Sequence, residues 1–115
     1  MRQMKDPISF EDFMKVDIRV GEVLEAKVYE EARKPAYILL VDFGEEIGIK
    51  KSSAQITECY NCDELVGKQV LGVVNFPPKQ IGKLLSETLV LGIYSEKGVV
   101  LIGPDLKVKK GDKLG

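Results

Sequence analysis

The residues whose type and spacing most suggest chemistry are Cys59 and Cys62, the only cysteines, arranged as C-x-x-C. That spacing serves redox motifs and half of a zinc site. A structural zinc takes four ligands. With no histidine and no further cysteine in the chain, such a site would have to close across a dimer or with carboxylates. A thioredoxin-like role wants a βαβ context, which the flanking residues do not supply. The pair therefore reads as a chance placement on a short helix or loop, and no metal or other cofactor is expected. The lack of histidine also removes the commonest general base. No phosphate-cradling glycine loop and no nucleophile elbow occurs.

The chain of 115 residues has the size of one domain, and residues 1–115 are taken as a single unit without repeat, low-complexity tract or linker. At 44% hydrophobic and 30% charged it is too apolar for intrinsic disorder. Its longest apolar runs, residues 37–41 and 89–93, fall far short of the roughly 20 residues of a membrane-spanning helix, so no membrane insertion is expected. The N-terminal stretch Met1, Arg2, Gln3, Met4, Lys5, Asp6, Pro7 enters no continuous apolar segment and does not read as a secretory signal. A cytoplasmic location is the expectation. With 17 Lys and Arg against 18 Asp and Glu, the net charge of −1 gives no long-range attraction for a polyanion, so nucleic-acid binding would need a local basic patch.

The period of the apolar residues defines the elements. Ser9 with Asp12 at the third following position marks an N-cap, and Phe10, Phe13 and Met14 recur at helical spacing, predicting a short helix over residues 9–14. From Val16 the period becomes two and continues to Val28, a long half-buried strand. Gly21, with Glu22 beside it on the apolar phase, is the expected place for a bulge or bend that lets one strand pair in both halves of a barrel. Residues 37–43 and 47–50 form a hairpin across Gly44-Glu45-Glu46. Residues 53–66 lose that period and read as broken helical turns ending at Gly67. Another strand over 68–74 is stopped by Pro77 and Pro78, and an extended loop runs through Leu85. Residues 86–94 and 99–102 pair across Ser95-Glu96-Lys97-Gly98, with a last turn at Lys110-Gly111-Asp112. The fold class is all-β: a five-to-six-stranded OB-fold barrel with a short N-terminal helix and a short helical insertion after the third strand.

Specific residues then match a family. Val16-Asp17-Ile18-Arg19-Val20-Gly21, Glu31-Ala32-Arg33 with Pro35-Ala36, Gly48 through Thr57, Val73-Val74-Asn75-Phe76-Pro77-Pro78 with Ile81, and Ser86 through Gly92 resemble the CsaA export-related chaperones. These belong among the stand-alone tRNA-binding domains, and the blocks run in family order across nearly the whole chain. The resemblance implies an OB fold, a homodimer and no catalytic site. It also implies holdase-like binding of precursors bound for export, contact with the secretion machinery, and a kinship with domains that bind tRNA. Ser52-Ser53 beside Lys50-Lys51 invite a Ser–Lys catalytic pair, but they fall in a block shared with non-enzymes. In two places the chain departs from the tRNA-binding relatives. Residues 30–35 read Glu-Glu-Ala-Arg-Lys-Pro where those relatives carry Asn, Asp and Lys, and Ser86 is followed by Glu87-Thr88-Leu89 in place of a Ser-x-Gly-Met ending. Both departures argue against strong tRNA binding.

Three surfaces remain as candidate sites. Arg19, Arg33, Lys34, Lys50, Lys51, Lys79 and Lys83 gather either as a phosphate-neutralising patch on the barrel face or as an ordinary solvated surface among carboxylates. Asn75 and Ser86 either bond a phosphate or base, or fix their own loop. Of the aromatics able to stack on a base, Tyr37 reads as core and Phe76 as displayed. Phe76, Pro77, Pro78, Ile81, Leu84 and Leu85 make a loop apolar enough for a peptide-binding groove. The same loop could equally fold down on its own barrel or on a dimer mate. Phe10, Phe13 and Met14, with Val99, Val100, Leu101 and Ile102, supply apolar surface for a two-fold dimer interface. The leading expectation is a non-enzymatic holdase for extended apolar segments of unfolded precursor proteins; a tRNA or structured-RNA module is the rival, and a pure assembly protein a third reading.

Overall fold

The computed structural model describes residues 3–115; Met1 and Arg2, which open the stretch read for a secretory signal, lie outside the described residues. The elements are α1 (Phe10–Met14), β1 (Ile18–Val28), β2 (Tyr37–Asp42), β3 (Ile49–Ala54), α2 (Cys62–Leu65), β4 (Gln69–Val73), β5 (Lys79–Ile81), β6 (Leu84–Ser86), β7 (Leu89–Val90), β8 (Gly92–Ser95) and β9 (Gly98–Leu101). One five-stranded sheet runs in the order β3-β2-β1-β4-β7, and two hairpins, β5-β6 and β8-β9, stand outside it. Backbone and side-chain bonds from the 86–87 segment back to β3 nearly close the sheet into a barrel: the Glu87 N–H donates to the Lys51 carbonyl at 2.7 Å, and the Ser53 N–H to Ser86 Oγ at 3.2 Å. This is the OB-type layout that the period of the sequence predicts.

The long strand β1 serves both halves of the barrel, as expected. Residues 18–22 pair with β4, residues 22–28 with β2, and the handover falls at Glu22. The irregularity in register lies between Val23 and Glu25, not at Gly21. Gly21 has a different task. A Cβ built there would sit 2.5 Å from Val41 Cγ1 and 2.9 Å from the Phe43 ring, and one on Gly72 of β4 would sit 2.8 Å from the same ring. Phe43, fully buried, therefore fills the barrel against two strands that carry no side chain at the point of contact.

The main core joins Val23, Leu39, Val41, Phe43, Leu65 and Val70 with neighbours from β3. On the opposite face of β1, Ile18 and Val20 pack with Leu71 and Val73 under Val16, Leu91, Ile102 and Val108. The C-terminal segment reaches that face because it runs along β1. Gly111 N–H donates to Val20 O, Val20 N–H to Asp112 O, and Leu114 N–H to Ile18 O, at 2.8 to 3.0 Å.

Both helices start on reciprocal caps. Ser9 and Asp12 close a capping box on α1, and Asn61 and Glu64 close one on α2. The helical turns expected over residues 53–66 shrink to the four residues of α2, because β3 continues through Ala54 and sends Ser52 and Ala54 inward. The extended loop expected through Leu85 is instead the β5-β6 hairpin, turned at Gly82 with φ +62°. The single strand expected over 86–94 is split into β6, β7 and β8. Among the described residues no helix is long and apolar enough to cross a membrane.

Because the Phe43 ring has no slack against β1, Gly21→Ala should destabilise the fold by about 1–3 kcal/mol, the usual range for overpacking. Urea unfolding of the two proteins would show it as a lower midpoint with an unchanged slope.

Candidate binding groove

A groove of about 490 Å³ lies where the β5-β6 hairpin leans over β3. Ser53 and Gln55 line it beside Phe76, Pro77, Ile81 and Leu89, with Ser86 and Thr88 as further polar lining. Lys79, exposed, and Glu87, half-buried, also line it. Phe76 is 49% exposed, so the loop that carries it is not folded away onto the barrel.

The hairpin is held in place from below. Leu84 is buried with Tyr29 and Ala36, and Ile38 and Ile81 pack beside them. The Tyr29 hydroxyl donates to the Ile81 carbonyl at 2.6 Å and accepts from the Lys83 N–H at 3.2 Å. Any residue larger than glycine at position 82 would meet that hydroxyl, since a Cβ there would lie 2.7 Å from it. Tyr29 thus fixes the height of the hairpin over β3. Sequence reading missed it, because nothing about a tyrosine ending a strand identifies what its hydroxyl reaches. Ser53 and Gln55 were missed for another reason: they fall in the stretch read as helical turns.

The structure sorts the basic candidates. Arg19 must be removed from the phosphate-contacting set. It is buried, its Nε and Nη2 grip both oxygens of Asp17 at 2.6 and 3.2 Å, and its Nη1 donates to Glu46 at 3.2 Å and to the Gly111 carbonyl at 3.1 Å. The hydrogen bond to Asp17, with the further bond to Glu46, raises its pKa against the effect of burial. Arg19 is a clamp joining β1, the turn after β2 and the C-terminal turn. Asn75 is likewise engaged, accepting from the Asp17 N–H at 2.8 Å and donating to the Lys15 carbonyl at 2.7 Å. Ser86 accepts from Ser53 and donates to the Thr88 carbonyl. Ser86 thus fixes its own loop through Thr88, whereas Asn75 ties its loop to the distant backbone of residues 15–17.

Arg33 and Lys34 are exposed and line a concavity that adjoins the groove. Lys51 is exposed on the outward phase of β3, whereas Lys50 is half-buried on the opposite phase, so the two do not share a face. Lys83 faces Glu31 at 3.4 Å.

Of the apolar candidates, Phe76, Pro77 and Ile81 meet in the groove. Leu84 is a correction: it is core, because the hairpin packs onto Tyr29 through it. Pro78 and Leu85 are exposed outside the groove lining. Tyr37 lies in the core, its hydroxyl donating to the Tyr60 carbonyl at 2.6 Å. In the last candidate set Phe10, Phe13, Met14 and Val100 are exposed, but Val99 and Leu101 pack on the main core and Ile102 on the second. The excess of apolar residues near the C-terminus is thus partly consumed by the chain's own barrel.

Cys59 and Cys62 are both free and half-buried. Cys59 Sγ lies 3.5 Å from the Lys97 carbonyl, and burial, with the nearby Asp63, pushes the Cys62 thiol up. No cluster of potential metal ligands occurs among the described residues. A larger concavity of about 700 Å³ lies between residues 42–46 and 109–112. Of its charges, Asp42 pairs with Lys110 at 3.0 Å and Glu46 with Arg19 beneath it.

The fold and the groove define a small OB-type barrel domain with an open, partly apolar groove on one face. Comparison with known proteins gives the family: a profile described as "Putative tRNA binding domain" matches residues 18–113, and the chain belongs to that family. Among solved structures it is similar to the CsaA chaperone of Picrophilus torridus, at 51% identity and TM-score 0.91 over 95% of this chain and 100% of that one. The chaperone CsaA of Bacillus anthracis gives 46% and 0.89, covering 96% and 100%. Among curated proteins, the methionine–tRNA ligase of Pyrococcus horikoshii is 36% identical over 107 residues, which is 93% of this chain and 14% of the ligase. The chain therefore spans only a small part of the ligases it matches.

Tyr29→Phe removes the partner of both Ile81 O and Lys83 N–H. The expected cost is about 1–3 kcal/mol, concentrated in the hairpin. Hydrogen exchange at the Lys83 amide should accelerate while amides of β1 and β4 keep their protection.

Proposed function

We propose that the chain is a non-enzymatic, CsaA-like holdase that grips extended apolar segments of unfolded precursor proteins in the groove between Phe76 and β3. The observation that carries this reading is the displayed apolar lining: Phe76, Pro77, Ile81 and Leu89 form a concave surface that stays open to solvent. Burying such side chains against a partner contributes about 1.5–3 kcal/mol each with little demand for sequence. The likeness to two chaperone structures over nearly the whole chain supports it. Clients bound for export, contact with the secretion machinery and a cytoplasmic location belong to the same proposal. So does a homodimer formed through the exposed Phe10, Phe13, Met14 and Val100, with Ile93 and Tyr94 exposed on the strand that pairs with Val100's. Sedimentation at working concentration should then give twice 12.8 kDa.

A second reading, tRNA binding, is favoured by the family match and by exposed Arg33, Lys34, Lys51 and Lys79. The two differ in their response to salt. Phosphate contacts lose affinity steeply with ionic strength, whereas apolar burial does not.

Phe76→Ser with Ile81→Ser should weaken binding of an unfolded apolar peptide by about tenfold or more and leave tRNA binding unchanged. Lys51→Glu with Lys79→Glu should reduce any tRNA binding and flatten its salt dependence. Fluorescence titrations of both ligands at two salt concentrations check this. Peptide affinity unaffected by the loss of Phe76 and Ile81 would sink the holdase assignment.

A further inference from the structure

The groove does not end at Ile81. Ser53, Gln55 and Ile81 also line the adjoining concavity of about 310 Å³, so the two depressions form one path across the barrel face. Their chemistry differs. The first half carries Phe76, Pro77 and Leu89, with Lys79 also lining it. The second half is lined by Arg33 and Lys34, both exposed.

Neither acidic residue lining this path pairs with Arg33, Lys34 or Lys79. Glu31 faces Lys83 at 3.4 Å, and Glu87 lends Oε1 to the Lys51 N–H at 3.0 Å. Arg33, Lys34 and Lys79 form no ion pair among the described residues. The path is thus apolar at one end and carries uncompensated positive charge at the other. At the junction stands exposed Gln55, whose amide both donates and accepts, as the backbone of an extended chain requires.

We propose that this bipartite groove selects extended polypeptide segments whose apolar stretch is flanked on one side by carboxylates. The proposal rests on the peptide-holding reading of the groove and adds a charge preference to it. An apolar stretch fills the first half, and carboxylates flanking it reach Arg33 and Lys34, where charge-assisted hydrogen bonds are available. Both cations are exposed, so the preference is moderate and sensitive to salt. A nucleic acid fits this path less well. Base stacking calls for aromatic platforms, and the apolar half offers one aromatic ring, Phe76, among aliphatic neighbours.

The test uses the full chain and three fluorescent peptides with the same central apolar stretch, flanked on one side by Asp and Glu, by Ser, or by Lys. At low salt, anisotropy should rank the acidic-flanked peptide roughly three- to tenfold tighter than the Ser-flanked one, and the Lys-flanked one weakest. Added salt should narrow the gap. In Arg33→Glu with Lys34→Glu, both exposed positions, the ranking should reverse while circular dichroism stays unchanged. Equal affinity for the three peptides, or a ranking untouched by the double substitution, overturns the charge preference and leaves peptide holding intact. If no peptide binds and an RNA does, the peptide-holding reading falls and the proposal with it.

Discussion

Everything in this barrel turns around the Phe43 ring. It is fully buried, and it lies against Gly21 on β1 and Gly72 on β4, where a Cβ would approach it to 2.9 and 2.8 Å. Two glycines on neighbouring strands let the backbone close tightly over an aromatic plug. The sheet can then curl enough for β3 to meet the 86–87 segment, where Ser53 and Lys51 bond to Ser86 and Glu87. The groove sits at this seam. Its lining comes from β3 and from the segments that follow β4, so the curl around Phe43 sets how far apart they stand.

Two further anchors hold the shell to that plug. Arg19 ties β1 to the turn after β2 and to the C-terminal turn, with four of its five N–H donors engaged inside the protein. Asp42 works beside it. The Gly44 N–H and then Lys110 hold its carboxyl below its ordinary value. Above the sheet, Tyr29 and Leu84 seat the β5-β6 hairpin. Arg19 and Asn75, polar groups that look available in the sequence, thus turn out to be fasteners of the fold, whereas Arg33, Lys34 and Lys79 stay exposed near the proposed groove.

Much of the fold was legible because its signals are local. The Ser9 cap, the two-residue period of β1 and the turns at Gly44 and Gly98 each announce an element within a few residues. The β5-β6 hairpin was not legible, since each of its strands has three residues and offers too few positions for a period to show. β3 was cut short for a related reason: Lys50, Lys51, Ser52 and Ser53 look polar throughout, although Ser52 is buried. The groove was half legible. Phe76, Pro77 and Ile81 stand out as apolar residues in a loop, while Ser53 and Gln55 join them only through the closure of the barrel. Arg19 and Asn75 show the converse. Residue type marks a group that can bind a phosphate, but only the tertiary neighbours reveal that its hydrogen bonds are already taken.

The most direct test is to locate a bound chain on the surface. A peptide with an extended apolar stretch and a photoreactive group at its centre would be bound to the full-length protein, irradiated, and the adducts mapped by mass spectrometry. Adducts concentrated on residues 53–55, 76–81 and 86–89 are the expected result. Adducts confined to the exposed surface of residues 8–14 and 93–100, with none in the groove, would contradict the assignment of this seam as the binding site.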